Sequence, residues 1–397
     1  MCPPTRRAVL GAVPAIAAGL AGCSLSDDDE PPVPAAWTTD IASPLPGVQF
    51  GDGPLLIGSA YYSDREPLVA GLDPATGETQ WSVERLHEDE RGSPVSGADG
   101  VAYTFSTTGT VRALDAASGD YRWRVSISGL PEPDPGVAAF APMPVDDLIL
   151  VPVSGREDDV ADRIVALDAD DGGQRWSYPL AASLSGRPDV TDGAVVLPQT
   201  DGVVEAVDLS GDRRWSISKP TPYTGVTAEN GVAYVGNVAE RIEALDVESG
   251  ERRWQSPTDN AVTTPPVLDG ADGSGSGTVY VGAGDHYVYA VDAASGTRRW
   301  RTETRAAVTS GPAHTGDALV AIAGGPFEER ARGQHVPLGV SPSLHVLGAD
   351  DGSRRERFIT EGYQSEGDLW WVAAVGDHVY VGQERQLLRL DGGVLDA

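Results

Sequence analysis

Residues 242–254 read IEALDVESGERRW, a run that ends in an aspartate, followed by a Ser-Gly pair and a tryptophan. The alternation of apolar and polar residues before the aspartate predicts a half-buried strand. Asp246 and Gly250 have turn chemistry, because an aspartate side chain accepts backbone N–H groups and glycine tolerates a positive φ. Trp254 then opens a return strand, so the stretch predicts a β-hairpin.

This pattern occurs seven times along the chain. The seventh copy is degenerate, since Gly348 replaces the aspartate and Glu356 replaces the tryptophan. A large aromatic side chain at one position of each repeat predicts a wedge between neighbouring sheets. The copies are residues 68–81, 111–123, 164–176, 204–215, 242–254, 288–300 and 344–356. The predicted structural tryptophans are Trp81, Trp123, Trp176, Trp215, Trp254 and Trp300, together with Trp37 from the N-terminal region.

Two further strand patterns precede each hairpin, as in residues 265–267 and 278–282. Each repeat therefore predicts four antiparallel strands, here named A to D. The motif positions recur at intervals of 38 to 56 residues. Four-stranded repeats of about 40–50 residues are typical of propeller blades.

An eighth repeat is divided between the two ends of the chain. Residues 371–374, 378–382 and 387–391 supply strands A to C, and residues 36–41, which contain Trp37, supply strand D. A ring closed in this way leaves no open sheet edge between the termini. We therefore predict an all-β, eight-bladed β-propeller whose N-terminal strand completes the last blade.

The N-terminal residues predict an export signal. Arg6 and Arg7 precede an apolar stretch that is too short for a membrane-spanning helix, and the segment resembles a twin-arginine signal. Residues 20–23, which end in Cys23, resemble a lipobox, so we expect lipid attachment at Cys23. The alternative is a plain signal peptide that contains a cysteine. The predicted organisation is a signal peptide over residues 1–22, an acidic Pro-rich tether over 23–34 and the propeller over 35–397.

Cys2 and Cys23 are the two cysteines of the chain. After signal removal and lipidation no thiol remains for a disulfide, a zinc site or a nucleophile. The net charge is −30, and Lys219 is the only lysine among 29 basic residues, so a basic nucleic-acid surface is not expected. This composition resembles that of salt-in halophilic archaea, whose molar salt screens self-repulsion. The alternative is an ordinary acidic secreted protein.

The Ala-Leu-Asp, Ser/Thr-Gly and Arg-Trp pattern resembles the pyrrolo-quinoline quinone (PQQ)-like propeller repeat, from about Ala35 to the C-terminus. The resemblance implies one of two functions. One branch of this superfamily contains quinoprotein dehydrogenases that bind PQQ and calcium in the funnel of the ring. The other contains non-enzymatic lipoproteins that bind other proteins. The adjacent Cys-Cys pair of alcohol-oxidising quinoproteins is missing here, although sugar-oxidising members lack it too.

The longer connections, B–C and D–A, are predicted on one face of the ring, where binding residues tend to lie. The candidate ligand residues on this face are Arg330, Arg332, His335, Tyr363, Glu366, Asp368 and Trp370. A solvated loop that leads into an inner strand is the alternative for residues 363–371. The six histidines show no metal-ligating spacing, and no nucleophile elbow or phosphate-binding loop is present. No catalytic residue and no metal site is predicted.

The first hypothesis for function is a cell-surface, lipid-anchored scaffold that is not an enzyme. It would need no cofactor, act as a monomer and bind another envelope or secreted protein. Its contact with the outer face of the cytoplasmic membrane would be through the lipid on Cys23 alone. The alternative is a PQQ-dependent dehydrogenase or another redox enzyme that uses the propeller funnel.

Overall fold

The structure is a computed structural model that describes most of the chain. The described residues are 33–59, 67–87, 90–128, 130, 137–155, 161–218, 223–269, 277–324, 342–359, 369–383 and 385–396. They form antiparallel strands and one short helix, α1 (Gly392–Leu395). No helix in these ranges has the length and apolar character needed to cross a membrane.

The strands form eight sheets, and in six of them four consecutive strands lie in the order A to D. The first strand, β1 (Ala35–Asp40), belongs to the last sheet. Blade 1 contains β2 (Pro44–Gln49), β3 (Leu55–Ser59), β4 (Val69–Leu72) and β5 (Thr79–Val83). Blade 2 contains β6 (Ser96–Ala98), β7 (Val101–Phe105), β8 (Thr110–Asp115) and β9 (Tyr121–Ser126). Blade 3 contains β10 (Val137–Ala139), β11 (Met143–Val145), β12 (Leu148–Gly155), β13 (Arg163–Asp168) and β14 (Gln174–Pro179).

The remaining blades follow in chain order. Blade 4 contains β15 (Asp189–Thr191), β16 (Ala194–Pro198), β17 (Val203–Asp208) and β18 (Arg213–Ser218). Blade 5 contains β19 (Tyr223–Glu229), β20 (Val232–Asn237), β21 (Arg241–Asp246) and β22 (Arg252–Pro257). Blade 6 contains β23 (Val267–Asp269), β24 (Thr278–Gly282), β25 (Tyr287–Asp292) and β26 (Arg298–Glu303). Blade 7 contains β27 (Val308–Thr315), β28 (Ala318–Ala323), β29 (Ser343–Gly348) and β30 (Arg354–Ile359). Blade 8 contains β31 (Leu369–Val375), β32 (His378–Gln383) and β33 (Gln386–Leu390), completed by β1.

The predicted eight-bladed propeller is confirmed, including its closure. Strand β1 pairs antiparallel with β33, so that Thr38 lies opposite Leu388 and Asp40 opposite Gln386. Trp37 is 9% exposed and Ile41 is 4% exposed, both within an apolar cluster shared with blade 1. The N-terminal strand therefore joins the last blade and also packs on the first one.

Blade 3 departs from the four-strand prediction. Two short strands, β10 and β11, both pair with the long strand β12, which makes this sheet five-stranded. Strand β12 is long enough to pair with both, since its last residue, Gly155, lies opposite Val137 of β10. The long connection before this blade thus supplies an additional strand.

Each repeat tryptophan docks on the C–D turn of the next blade. Trp254 Nε1 donates a hydrogen bond of 2.9 Å to the Ala293 carbonyl oxygen, and its ring covers Gly296. Gly296 has a φ of +69°, and a Cβ there would lie 2.5 Å from the Trp254 ring. The same bond forms at Trp37, Trp123, Trp176, Trp215 and Trp300, at 2.8 to 3.0 Å. Trp81 covers Gly119 in the same way, although its Nε1 has no acceptor among the described residues.

The degenerate seventh copy has a structural explanation. A tryptophan at position 356 would dock on the C–D turn of blade 8, but strands C and D of that blade, β33 and β1, come from opposite ends of the chain. In place of a turn, α1 follows β33, and Arg355 Nη1 donates to the Leu395 carbonyl oxygen at 2.6 Å. Glu356 therefore lies at the junction between blades 7 and 8. There the next blade has no C–D turn with a glycine that a tryptophan could cover.

The motif aspartates hold these turns. Asp246 accepts the backbone N–H groups of Glu248 and Ser249 at 3.1 and 2.9 Å, and its other oxygen accepts from Arg253 at 2.7 Å. The Arg253 guanidinium, followed by the Ser249 N–H and hydroxyl, lowers the pKa of Asp246 to about 2. The aspartate is thus ionised at neutral pH, as the turn requires.

Candidate functional site

The eight inner strands enclose a channel along the axis of the ring. Two cavities of about 560 and 390 Å³ lie in it. Segments of all eight blades line them: residues 46–48, 94–97, 141–145, 187, 189–190, 226–227, 265–268, 310–314 and 371–374. Pro46, Arg187 and Asp189 border both cavities, so the two cavities are adjacent and together make up the candidate site.

Prolines and aliphatic residues dominate this lining. Each A strand is the inner edge of its sheet, where its outward N–H groups have no partner strand. Proline lacks that N–H group and is tolerated at a sheet edge. The lining prolines are Pro46, Pro94, Pro142, Pro144, Pro265, Pro266 and Pro312. They make the inner edges poor templates for the addition of another strand.

Hydrogen bonds from residues in or just before the A strands connect neighbouring blades around the channel. Thr227 Oγ1 donates to the Pro266 carbonyl oxygen at 2.5 Å, and Thr263 Oγ1 donates to that of Val308 at 2.5 Å. Trp371 Nε1 donates to the Pro44 carbonyl oxygen at 2.7 Å, which joins the last blade to the first. The channel wall is therefore fixed from blade to blade as well as within each sheet.

Asp189 is the one carboxylate among the described residues that line the two cavities. Its two oxygens accept the N–H groups of Ala228, in the next blade, at 2.8 Å and of Val190 at 2.9 Å. Burial raises the pKa of Asp189, and the two backbone bonds and the Arg187 charge oppose that rise. Among the described lining residues, Arg187 and Asp189 are the only Arg, Lys, Asp or Glu side chains, and their formal charges are opposite. The site is thus nearly neutral inside a strongly acidic protein.

His314 lies at the turn side of the larger cavity. Its ring stacks on Tyr280 with centroids 5.7 Å apart, and its Nε2 is 3.5 Å from an Asp269 carboxylate oxygen. The Nε2 atom is buried and has no hydrogen bond in the described part of the structure. The imidazole thus stacks on Tyr280, lies close to the Asp269 carboxylate and adds a polar group to the wall of the larger cavity.

A buried ion pair lies outside the channel, where a D–A connection meets blade 2. Arg112 Nη2 is 2.6 Å from a Glu90 carboxylate oxygen, and both side chains are fully buried. Burial would raise the pKa of Glu90, but the Arg112 charge and hydrogen bonds from Ser106 and the Leu86 N–H hold it below its usual value. Removing one partner of such a pair leaves a buried charge. We interpret it as a structural clamp.

The residues in the channel do not fit PQQ with calcium. The quinone carries three carboxylates, which need compensating cations, and Arg187 is the only cationic side chain among the described lining residues. Calcium prefers several carboxylate and carbonyl oxygens. Within the described ranges, no three His, Cys, Asp or Glu side chains are grouped as metal ligands. We therefore derive no redox chemistry from this site.

Most site residues proposed from the sequence lie outside the described residues. These are Arg6, Arg7, Cys23, Arg330, Arg332, His335, Tyr363, Glu366 and Asp368. Trp370 falls within β31, one residue before the channel-lining Trp371. The sequence analysis missed Arg187, Asp189 and His314. These three residues could have been found from their position in the repeat, because they lie on or next to A strands. The A strands form the inner wall of a propeller.

Comparison with known proteins agrees with this architecture. Residues 65–151 and 135–324, together more than half of the chain, match a PQQ-repeat family described as outer membrane protein assembly factor BamB. The protein belongs to this family. The predicted PQQ-like propeller repeat is thereby confirmed.

Curated relatives of this family member include a protein of the same description. The chain is 26% identical over 278 residues to the outer membrane protein assembly factor BamB of Yersinia pestis, which covers 59% of this chain and 67% of the relative. It is 28% identical over 182 residues to the serine/threonine-protein kinase AfsK of Streptomyces griseus, covering 43% of this chain. This family member spans about a fifth of the length of that kinase, 21%.

A shorter match and a solved structure complete the comparison. The chain is 38% identical over 85 residues to the putative dehydrogenase XoxF of Paracoccus denitrificans, which covers 21% of this chain and 13% of the dehydrogenase. The crystal structure of BamB from Moraxella catarrhalis superposes with a TM-score of 0.63 at 17% identity, over 89% of this chain and 96% of that one. At this identity the superposition establishes the fold alone.

Proposed function

We propose that this family member is a non-catalytic scaffold of the cell envelope, attached to the membrane by a lipid on Cys23, that binds another envelope protein. The observation that carries the proposal is the rigid closed ring with a nearly neutral, proline-lined channel, in a family described as an assembly factor. Loops on a rigid scaffold are suited to binding. The proposal includes export through the Arg6-Arg7 signal and cleavage before Cys23.

The topology gives the proposed scaffold an orientation. We name the side with the A–B and C–D connections the turn face and the side with the B–C and D–A connections the loop face. Strand β1 is a D strand and begins at the turn face, where the Pro34 carbonyl oxygen accepts from the Asp391 N–H. A tether that precedes residue 35 therefore leaves from the turn face. With Cys23 in the membrane, the loop face points outward to a partner.

Site-specific cross-linking tests the scaffold proposal. Once Cys23 carries lipid, one introduced cysteine is the only thiol of the chain. Asp201→Cys, in the B–C turn of blade 4, should form an adduct with a distinct envelope protein when a thiol-to-amine cross-linker is added to intact membranes. Asp212→Cys, in the C–D turn of the same blade, is the matched control and should give little or none. Equal adducts at both positions, or none at either, would contradict a partner on the loop face.

Lipid attachment has its own test. Cys23→Ser should move nearly all of the exported protein from the membrane fraction to the soluble fraction, because the acyl chain supplies the membrane affinity, about 0.8 kcal/mol per buried CH₂. Fractionation followed by immunoblotting measures this. Cys2→Ser is the control and should stay in the membrane fraction, since residue 2 leaves with the signal. Replacing Arg6 and Arg7 by lysine should stop export. Membrane retention of processed Cys23→Ser protein would rule out lipid attachment there.

The dehydrogenase alternative is supported by the partial match to the putative dehydrogenase XoxF. Titration of PQQ into the purified protein in molar salt, with and without calcium, should show no saturable change in tryptophan fluorescence. The reason is the single cationic side chain among the described channel residues, Arg187. A known quinoprotein dehydrogenase serves as the positive control. Saturable, calcium-dependent binding with turnover of an alcohol or sugar would replace the scaffold proposal by the enzymatic one.

A further inference from the structure

The larger channel cavity combines a few polar groups with an apolar wall. Its volume is about 560 Å³, and small-ligand sites usually measure about 300–1,000 Å³. Pro265, Pro266 and Pro312 line it together with valine, leucine and alanine side chains. Ligand sites typically enclose an apolar ligand body in this way and orient it with a small number of polar groups. The cavity therefore has the size and the chemical character of a small-molecule site.

Arg187 supplies this cavity with a guanidinium group that binds nothing else. The side chain is exposed and borders both cavities, and it forms no hydrogen bond or ion pair in the described part of the structure. Asp189 lies two residues along the chain, but its two oxygens accept the N–H groups of Val190 and Ala228. The Arg187 guanidinium is therefore available to a ligand in the channel.

Trp371 lies across the channel from Arg187. The two residues belong to blades 8 and 4, which are opposite each other in an eight-bladed ring. Each comes four residues before the last residue of the A strand in its blade, so both lie at the same level along the axis. The half-buried indole is fixed, because its Nε1 donates to the Pro44 carbonyl oxygen and its ring covers Gly382. The cavity thus has a cationic side and an aromatic side.

We propose that this cavity binds a small molecule that has one carboxylate and an apolar aromatic body. The Arg187 guanidinium binds the carboxylate with two parallel hydrogen bonds, and the body lies against Trp371 and the prolines. One guanidinium matches one carboxylate, which is also the reason that the three carboxylates of PQQ do not fit. The prolines leave few free N–H groups at the inner sheet edges, so an extended peptide finds few backbone partners there. The cavity therefore favours a small ligand over a protein segment.

Naphthylacetate is the probe for this site. Isothermal titration calorimetry with the intact purified protein in molar salt should show saturable binding of one molecule per chain. Naphthylacetamide has the same body without the charge and should bind roughly tenfold more weakly. Acetate has the charge without the body and should not displace the probe at equal concentration, because burial of the apolar body supplies the remaining affinity.

Substitution of Arg187 tests the assignment of the carboxylate. Arg187→Gln should weaken binding of naphthylacetate roughly tenfold, as expected for the loss of a charge-assisted contact. Arg187→Lys keeps the charge but lacks the planar pair of donors, so its affinity should be intermediate. The matched control is Arg298→Gln on the outer strand β26, an exposed arginine that also has no hydrogen bond or ion pair among the described residues. It should bind the probe like the unchanged protein, and thermal unfolding should be unchanged in all three variants.

Several outcomes would overturn this inference. They are the absence of saturable naphthylacetate binding at about millimolar concentration, an equal affinity for the amide, and an unchanged affinity in Arg187→Gln. Displacement of the probe by an equal concentration of acetate would show a simple anion site and would also overturn it. An equal loss in Arg298→Gln would do the same, because the overall charge of the protein would then decide binding. Cross-linking of Asp201→Cys to an envelope protein does not depend on the ligand, so failure of this site leaves the scaffold proposal intact.

Discussion

A chain that begins at Ser43 should fail to form the closed ring, whereas a chain that begins at Val33 should fold like the full-length protein. The deleted segment contains β1, which supplies the whole outer strand of blade 8. Its loss uncovers β33 and removes the buried side chains of Trp37 and Ile41. Truncating one buried Trp or Ile typically costs about 2–5 kcal/mol. Total stability of a domain is only about 5–15 kcal/mol, so the combined loss should abolish the native state.

Circular dichroism during heating in molar salt measures this effect, with limited proteolysis as a second readout. The Val33 chain is the control, because it lacks only residues that precede the described part of the protein. The contacts of β1 beyond the ladder support the expectation. Trp37 and Arg389 both donate to the Pro74 carbonyl oxygen, at 3.0 and 2.7 Å, and Thr39 Oγ1 donates to that of Gly77 at 2.5 Å. Equal melting temperatures for the two chains would show that the ring closes without β1.

Replacing Trp254 by alanine should destabilise the propeller by about 3 kcal/mol, near the lower limit for a buried tryptophan because the ring is only half-buried. The substitution removes the bond to the Ala293 carbonyl oxygen and the cover over Gly296, and it separates Tyr234 from its aromatic partner 5.9 Å away. Urea or guanidinium unfolding in high salt measures the change in the free energy of unfolding.

Glu356→Ala is the matched control for Trp254→Ala. Glu356 holds the same place in blade 7, opposite Val346, but it is exposed and faces the junction without a C–D turn. Its replacement should change the free energy of unfolding by no more than about 0.5 kcal/mol, as for an ordinary surface substitution. A comparable loss in both variants would show that the tryptophan–turn contacts contribute little to stability.

The fold could be predicted because its information is local and repeated. Six of the seven hairpins have an alternating strand, a turn aspartate, a glycine and a tryptophan, so the same weak local signal recurs along the chain. The closure of the ring could be predicted from two features. Trp37 has no preceding strand C of its own, and the last repeat lacks strand D. The fifth strand of blade 3 could not be predicted, because β10 and β11 are only three residues long and lie within a long connection.

The candidate sites were much less accessible from the sequence. The channel is made by A strands, which have no shared motif, and Asp189 is defined by the N–H of Ala228 in another blade.

The pairing of β1 with β33 also sets when the protein can finish folding. These two strands are nearly the whole chain apart, so β1 finds its partner only after β33 has left the ribosome. Until then the nascent chain has two unsatisfied sheet edges, and such edges are targets for aggregation and proteolysis. A prematurely terminated product keeps those edges permanently. A chain that stops before β33 therefore leaves its first strand without a partner.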